Sequence, residues 1–347
     1  MVVGFHVDYN RSDELFAAFR LAKHLESMGV SVQFLPADRA SRVDDYWDTK
    51  VLKNYRGSYS DWLDSLQHLV MTAVPPTQIM EDIKDSDVFA SLLCFWTNLS
   101  EVTIEQIKKF NRIICPSKTV YRHLRDTKRL ISFKNLLCVQ WDYGGALIRN
   151  DRTHNTDRVG LYLNMDGSQP FYQAIQTINL IERIMTIPNV YLSVAYTSRI
   201  PENSLAELRR IAADAKGRIE LFKNMSLERA VLTAAAHDLT IWPNIVESAN
   251  LPGLISLTAG TPCLAFDHPV IGDVIKDRVN GVLVPCELDF DWFGVPEVVF
   301  DGETFFQQAR QLITDHDLLA GLSEQAHYKL IKRRESFENS INSLFGL

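Results

Sequence analysis

The sequence is short of several things that mark particular kinds of protein. Its longest apolar stretch, Val88 to Trp96, is less than half of the ~20 residues a membrane-spanning helix needs, so no integral membrane segment is expected. The opening run MVVGF reaches Asp8 and Arg11 before it attains the length of a secretory core, which points to a cytoplasmic protein. Cysteine is sparse: Cys94, Cys115, Cys138, Cys263 and Cys286 form no CxxC pair and have no histidine at metal-ligand spacing. They read as buried thiols of a reducing compartment, and no metal site is expected. Positive charge is not in excess, since 36 Lys and Arg stand against 43 Asp and Glu. That excludes a surface coated for nucleic acid, though not a local basic patch.

What is present is a β/α alternation in a chain of ordinary globular composition, 46% apolar and 23% charged. The 347 residues exceed the ~100 to 200 of a usual domain. VVGFHV predicts a strand, Leu15, Phe16, Phe19, Ala22 and Leu25 predict the helix after it, Gly29 stops that helix, and VSVQFLP predicts the next strand. One βαβ unit of this kind points to a parallel sheet. Residues 37–76 read as an irregular insertion or short helices. Order returns with a strand over Val88 to Trp96, a helix ending near Phe110, the strand RIICPS, a helix capped by Ser117, and NLLCVQW.

A polar stretch from Asp142 to Arg158 places the domain boundary near Arg149. The second half repeats the alternation: VGLYLN, Phe171 to Met185, VYLSVAY, Ser204 to Ala215, IELF, Leu227 to Ala236, LTIWP, Pro252 to Ala259, PCLAF, a short helix over Ile271 to Lys276, and GVLVP. The expected fold is α/β, with two doubly wound, Rossmann-like domains whose strand carboxyl ends face a cleft. The divisions are 1–148 on the acceptor side, 149–322 on the donor side, and a helix over 323–347.

The run from Gly217 to Glu287 carries Asp238, Pro243, Glu247, Leu251, the triplet Gly260, Thr261, Pro262, and the stretch Asn280, Gly281, Val282, Leu283, Val284. In order and spacing it resembles the carboxyl-terminal domain of the large retaining GT-B glycosyltransferase family with a Glu-x7-Glu motif. The resemblance implies transfer of a sugar from a nucleotide-activated donor to an acceptor hydroxyl, with retention, without a cofactor or metal. It also implies a terminal helix that packs back toward the first domain. Glu247 would grip the donor sugar. Asn244, Ser248, Asn250, Leu251 and Gly253 would surround it, and Asn224 and Met225 would cradle the base. Physical reasoning gives the same loop a role: amides at the start of a helix at Pro252 suit a phosphate, and a carboxylate accepts hydrogen bonds from sugar hydroxyls. Helix capping by Ser248 or Asn250, and core packing by Met225, are the plainer alternatives.

Departures accompany the likeness. The second Glu of the motif is replaced by Ile255, and LYLNMDGSQPFYQAI holds no cation for a diphosphate, which leaves Arg199 as a substitute or as plain surface. The first half resembles the family in architecture alone. Asp8, Asn10, Arg11 and Asp13 follow the first strand and are candidates for catalysis (Asp8, Asp13) or acceptor binding (Asn10, Arg11), with capping by Ser12 or Asp13 as the plainer alternative. His6, inside that strand, reads as a satisfied core histidine.

Nine Lys or Arg and one Asp fall between Lys108 and Lys134. Lys118, Arg122, Arg125 and Arg129 share one helical face, which is either a solvated surface or an acceptor site for anionic lipid headgroups or DNA. Peripheral membrane attachment goes with the first acceptor. The second suits a viral-type DNA-base glycosyltransferase working in a host cytoplasm. A non-catalytic sugar- or nucleotide-binding relative is the reading outside enzymes.

Overall fold

In the computed structural model, residues 1–7, 12–36, 58–73, 77–95, 104–126, 135–142, 158–165, 171–197, 200–243, 251–268, 270–290 and 296–347 are described. Strand β1 (Val2–Val7) divides its side chains by the two-residue period of a strand. Val3, Phe5 and Val7 join the core under helix α1 (Ser12–Ser27), whose Leu15, Leu21 and Leu25 are buried. Gly4 and His6 face the other way. A Cβ on Gly4 would stand 2.7 Å from the Trp62 ring, so the bare backbone is what lets the next helix approach. Gly29, at φ +79°, adopts the left-handed conformation just past α1.

The first sheet continues with β2 (Ser31–Pro36), α2 (Tyr59–Asp64), β3 (His68–Met71), α3 (Thr77–Asp85), β4 (Phe89–Leu93), α4 (Ile104–Ile107), β5 (Arg112–Cys115), α5 (Lys118–Asp126) and β6 (Leu136–Cys138). All six strands are parallel, in the order β2-β1-β3-β4-β5-β6. β3 and α3 occupy a region that the sequence left irregular or unassigned. The run HLVM is too short to stand out by period, yet it pairs with both β1 and β4 at the centre of the sheet.

The second sheet is built from β7 (Val159–Met165), α6 (Phe171–Ile184), β8 (Val190–Tyr196), α7 (Glu202–Asp214), β9 (Ile219–Lys223), α8 (Leu227–Ala235), β10 (Leu239–Trp242), α9 (Leu251–Ala259), β11 (Cys263–Phe266) and β12 (Gly281–Val284). Its order is β12-β11-β10-β7-β8-β9, again parallel. The helix expected over Ile271 to Lys276 is only a 3-10 turn, Ile271–Asp273. A hairpin, β13 (Leu288–Phe290) with β14 (Pro296–Val298), and α10 (Gly302–Thr314) follow.

Helix α11 (His316–Phe345) starts seven residues before the expected Ser323 and touches both sheet units. Leu319 and Leu322 join the core of the second sheet, while Phe337, Ile341 and Phe345 share a buried cluster with Val3, Phe5 and Leu21 of the first. At its end the Arg112 guanidinium donates to the Leu344 carbonyl at 2.9 Å, where the helix dipole is negative. Among the described residues no helix is long and apolar enough to cross a membrane.

Candidate functional site

Each sheet has one place where the chain reverses its direction of growth, and in open α/β sheets ligands bind in the crevice at the strand carboxyl ends there. In the first sheet the reversal lies between β1 and β3, and in the second between β7 and β10. The loop after β1 holds Asp8, Asn10 and Arg11, and the loop after β10 holds Asn244, Glu247, Ser248 and Asn250. Both predicted loops therefore start from a switch point. Those seven residues, with Arg199 and Arg129, lie outside the described residues, as does the side chain of Asp13.

The described neighbours of these loops are well defined. Leu251 and Gly253 form the first turn of α9 and are buried. Ile255 is 1% exposed within the apolar cluster of α9, so the place of the second motif Glu is a core position in this chain. Asn224 holds φ at +49° and donates its N–H to the Tyr196 carbonyl at 2.8 Å, a tight turn linking the ends of β8 and β9. Met225 is 3% exposed, with its sulfur 3.6 Å from Thr233 Oγ1. Its side chain is core, and only backbone groups of this turn remain to meet a ligand.

The remaining motif residues of the second half build the fold. Asp238 accepts the Gly160 N–H at 2.8 Å and donates its own N–H to the Gly160 carbonyl, joining the starts of β7 and β10. Gly260 ends α9 at φ +63°, and Thr261 Oγ1 donates to the Ala234 carbonyl at 2.8 Å. Asn280 is buried, accepts from Lys276 N at 2.7 Å and donates to Val274 O, while a Cβ on Gly281 would collide with the Cys263 carbonyl. All of these sit at strand amino ends, away from the switch point.

The basic face of α5 is present in reduced form. Val120 and Leu124 are buried, and Lys118 and Arg122 are exposed. Arg125 is bound to its neighbour Asp126 at 2.6 Å and lies over the Tyr121 ring, so its charge is partly spent locally. Ser117 caps the helix as expected, accepting from Thr119 N at 3.1 Å and Val120 N at 3.3 Å.

Sequence reasoning missed the partner of that cap. Ser117 Oγ donates to Asp273 Oδ2 at 2.8 Å, and the Thr119 N–H donates to the same oxygen at 3.2 Å. Ser117 follows β5 and Asp273 follows β11, so the carboxyl edges of the two sheets meet here. A pair separated by 156 residues leaves no local signal. Beside it, Arg333 donates to the Trp141 and Asp273 carbonyls. Burial pushes this guanidinium down to about 10, opposed by the charges of Asp273, Asp142 and Cys138.

His6 is buried, and among the described residues its Nδ1 has no hydrogen-bond partner, which corrects the reading of it as satisfied. Its burial lowers the imidazole to about 4, and burial lowers His268, just after β11, to about 3. Cys94, Cys115 and Cys263 are buried as expected, whereas Cys138 and Cys286 are half-buried. Burial raises Cys94 and Cys263 to about 12.

No family model and no curated protein matches the chain. Solved structures do. A glycosyltransferase of Rickettsia africae superposes with a TM-score of 0.70 at 11% identity, covering 99% of this chain and 97% of that one. The pneumococcal O-GlcNAc transferase GtfA, in complex with UDP and GlcNAc, gives 0.67 at 10% identity over 99% and 98%. WaaG, a glycosyltransferase of lipopolysaccharide biosynthesis, gives 0.64 at 12% identity over the whole of both chains. Two parallel six-stranded sheets with interleaved helices, joined at their carboxyl edges and matched end to end by these structures, make this a two-domain GT-B fold.

Proposed function

We propose that the protein is a glycosyltransferase that moves a sugar from a nucleotide-activated donor to an acceptor hydroxyl. The observation that carries this reading is the pair of switch points, beside β1 and β10, on sheets whose carboxyl edges touch through Ser117 and Asp273. The neighbouring structures support it, since GtfA holds UDP and GlcNAc.

In this reading the second sheet holds the donor. The first-turn amides of α9, at Leu251 and Gly253, face a donor phosphate, the turn at Asn224 and Met225 offers backbone groups to the base, and Arg199 supplies a positive charge. Asn244, Ser248 and Asn250 line the same loop, and the Glu247 carboxylate grips sugar hydroxyls. Asp8, Asn10, Arg11 and Asp13 orient the acceptor. Catalysis then rests on alignment of the reacting atoms and on stabilisation of the oxocarbenium-like charge and the departing phosphate, with retention and without a metal.

The acceptor of this proposal is anionic and meets Lys118 and Arg122. Transfer assays with a panel of nucleotide sugars, with anionic lipid and with DNA as acceptors, test both parts. A nucleotide sugar that raises the melting temperature and is consumed supports the donor assignment. Absence of binding by every nucleotide sugar overturns it.

A further inference from the structure

Asp273 is held on two sides. Its carboxylate completes the N-terminus of α5, a helix of the first unit, by accepting from Ser117 Oγ at 2.8 Å and Thr119 N at 3.2 Å. Its backbone carbonyl accepts from Arg333 Nη1 at 3.0 Å, and Arg333 Nε donates to Trp141 O, at the end of the described segment that leaves the first sheet.

The surroundings of the two grips differ. The half of α11 that carries Arg333 is bound firmly to the first unit: Asp142, fully buried, takes Arg20 at 2.8 Å and Arg334 at 3.2 Å, and Phe337 packs under the Arg20 guanidinium and against the Trp141 ring. The opposite half is bound to the second unit through Leu319, Leu322 and the Ser323 hydroxyl on the Gly260 carbonyl. Helix α11 thus braces both units through many contacts at once. The Asp273 carboxylate, on a half-exposed residue, makes hydrogen bonds that water can replace.

We propose that Asp273 and Ser117 form a positioning clasp that sets the separation of the two carboxyl edges for glycosyl transfer. This rests on the glycosyltransferase reading. The clasp stands on β5, three strands from β1, which is ~14 Å at the usual strand spacing. It is also beside Trp141, where the chain leaves the first sheet. A displacement there is passed along the sheet to β1. Neither residue needs to touch substrate.

The test is Asp273→Ala and Asp273→Asn, with Ser117→Thr as the variant that keeps the hydroxyl. Alanine leaves the Arg333 bond, which is to backbone. The expected result is a kcat lower by roughly tenfold, below the hundredfold that a 1 Å misplacement can cost, with nucleotide Kd in the absence of acceptor unchanged. Small-angle scattering of both Asp273 variants should show a larger radius of gyration, and Ser117→Thr should match the wild type in every readout. A melting temperature that falls while scattering and kcat stay unchanged would make the pair a stabilising contact and overturn the clasp. Scattering needs no turnover, so an unchanged radius in Asp273→Ala overturns the clasp even in a protein that transfers no sugar, and a protein inactive with every donor overturns the parent reading separately.

Discussion

The amino edges of the two sheets and their carboxyl edges are made of different contacts. At the amino edges, side chains tie neighbouring strands and helices to each other: Asp238 to Gly160, Thr261 to Ala234, the Asn111 side chain to Ala90 N at 2.8 Å, and Arg112 to the end of α11. At the carboxyl edges stand the switch-point ends of β1 and β10, the turn at Asn224, two buried histidines and the Ser117–Asp273 contact. The motif residues of the second half divide the same way. Asp238, the Gly260–Pro262 triplet and Asn280 secure the scaffold, and Glu247 is the motif residue to which the proposed function assigns chemistry. Most of this motif is therefore a signature of fold.

Acid should act on the carboxyl edges most strongly. His6 ends up near 4 when folded against an ordinary value of 6.5. Its contribution is complete above pH 6.5, because both states are then neutral. As pH falls from 6.5 toward 4 the unfolded chain takes up a proton that the folded chain refuses, and on the order of 3 kcal/mol is lost. Urea midpoints at pH 7.5 and 5 should converge in His6→Phe relative to the wild type, and an unaltered pH dependence would remove this assignment. His268 adds the same sign over a window from 6.5 to about 3.

Next in size is Glu247→Gln, which keeps shape but replaces charge-assisted hydrogen bonds to the sugar by ordinary ones. Transfer should fall about a hundredfold, the scale of losing one transition-state contact, with melting temperature and nucleotide affinity close to wild type. Full activity in this variant would break the division between the edges. Asp238→Ala, at an amino edge, should do the opposite: a loss of about 1 to 3 kcal/mol of stability, since the Gly160 N–H loses its side-chain acceptor, with kcat per folded molecule unchanged. The smallest effect is expected for Lys118→Ser with Arg122→Ser. It should flatten the salt dependence of acceptor binding by about two counterions if the acceptor is DNA, and leave donor binding alone.

How much of this could be read from residues differed by half. β7, β8, β10 and β11 were legible because each is a continuous apolar run, as expected for strands covered on both faces. β3 escaped because four residues carry too little period, and its centrality depends on pairing with segments distant in sequence. α10 escaped although Phe305, Ala309, Leu312 and Ile313 carry the helical period, so it was legible in principle. The basic stripe was read from spacing alone, which cannot see that Arg125 turns to Asp126. Ile255 was read as a missing contact, and the structure adds that its environment is apolar. The loop carrying Glu247 was singled out by resemblance, and the strand order puts β10, the strand that precedes it, beside a switch point.

The course of α11 has a consequence for how the molecule is made. Phe337, Ile341 and Phe345 belong to the cluster that contains Val3, Phe5 and Leu21, so the hydrophobic interior begun by β1 and α1 is closed by residues more than three hundred positions later. The first sheet cannot finish packing as an independent nascent domain. Until α11 arrives, Trp141 and the apolar side of α1 lack their cover, and a growing chain at ~5 to 20 residues per second spends tens of seconds in that state. Removing residues 337–347 should leave a chain that associates through that surface even though every strand of both sheets is present. The docking of α11 is the step that joins the packing of the two halves.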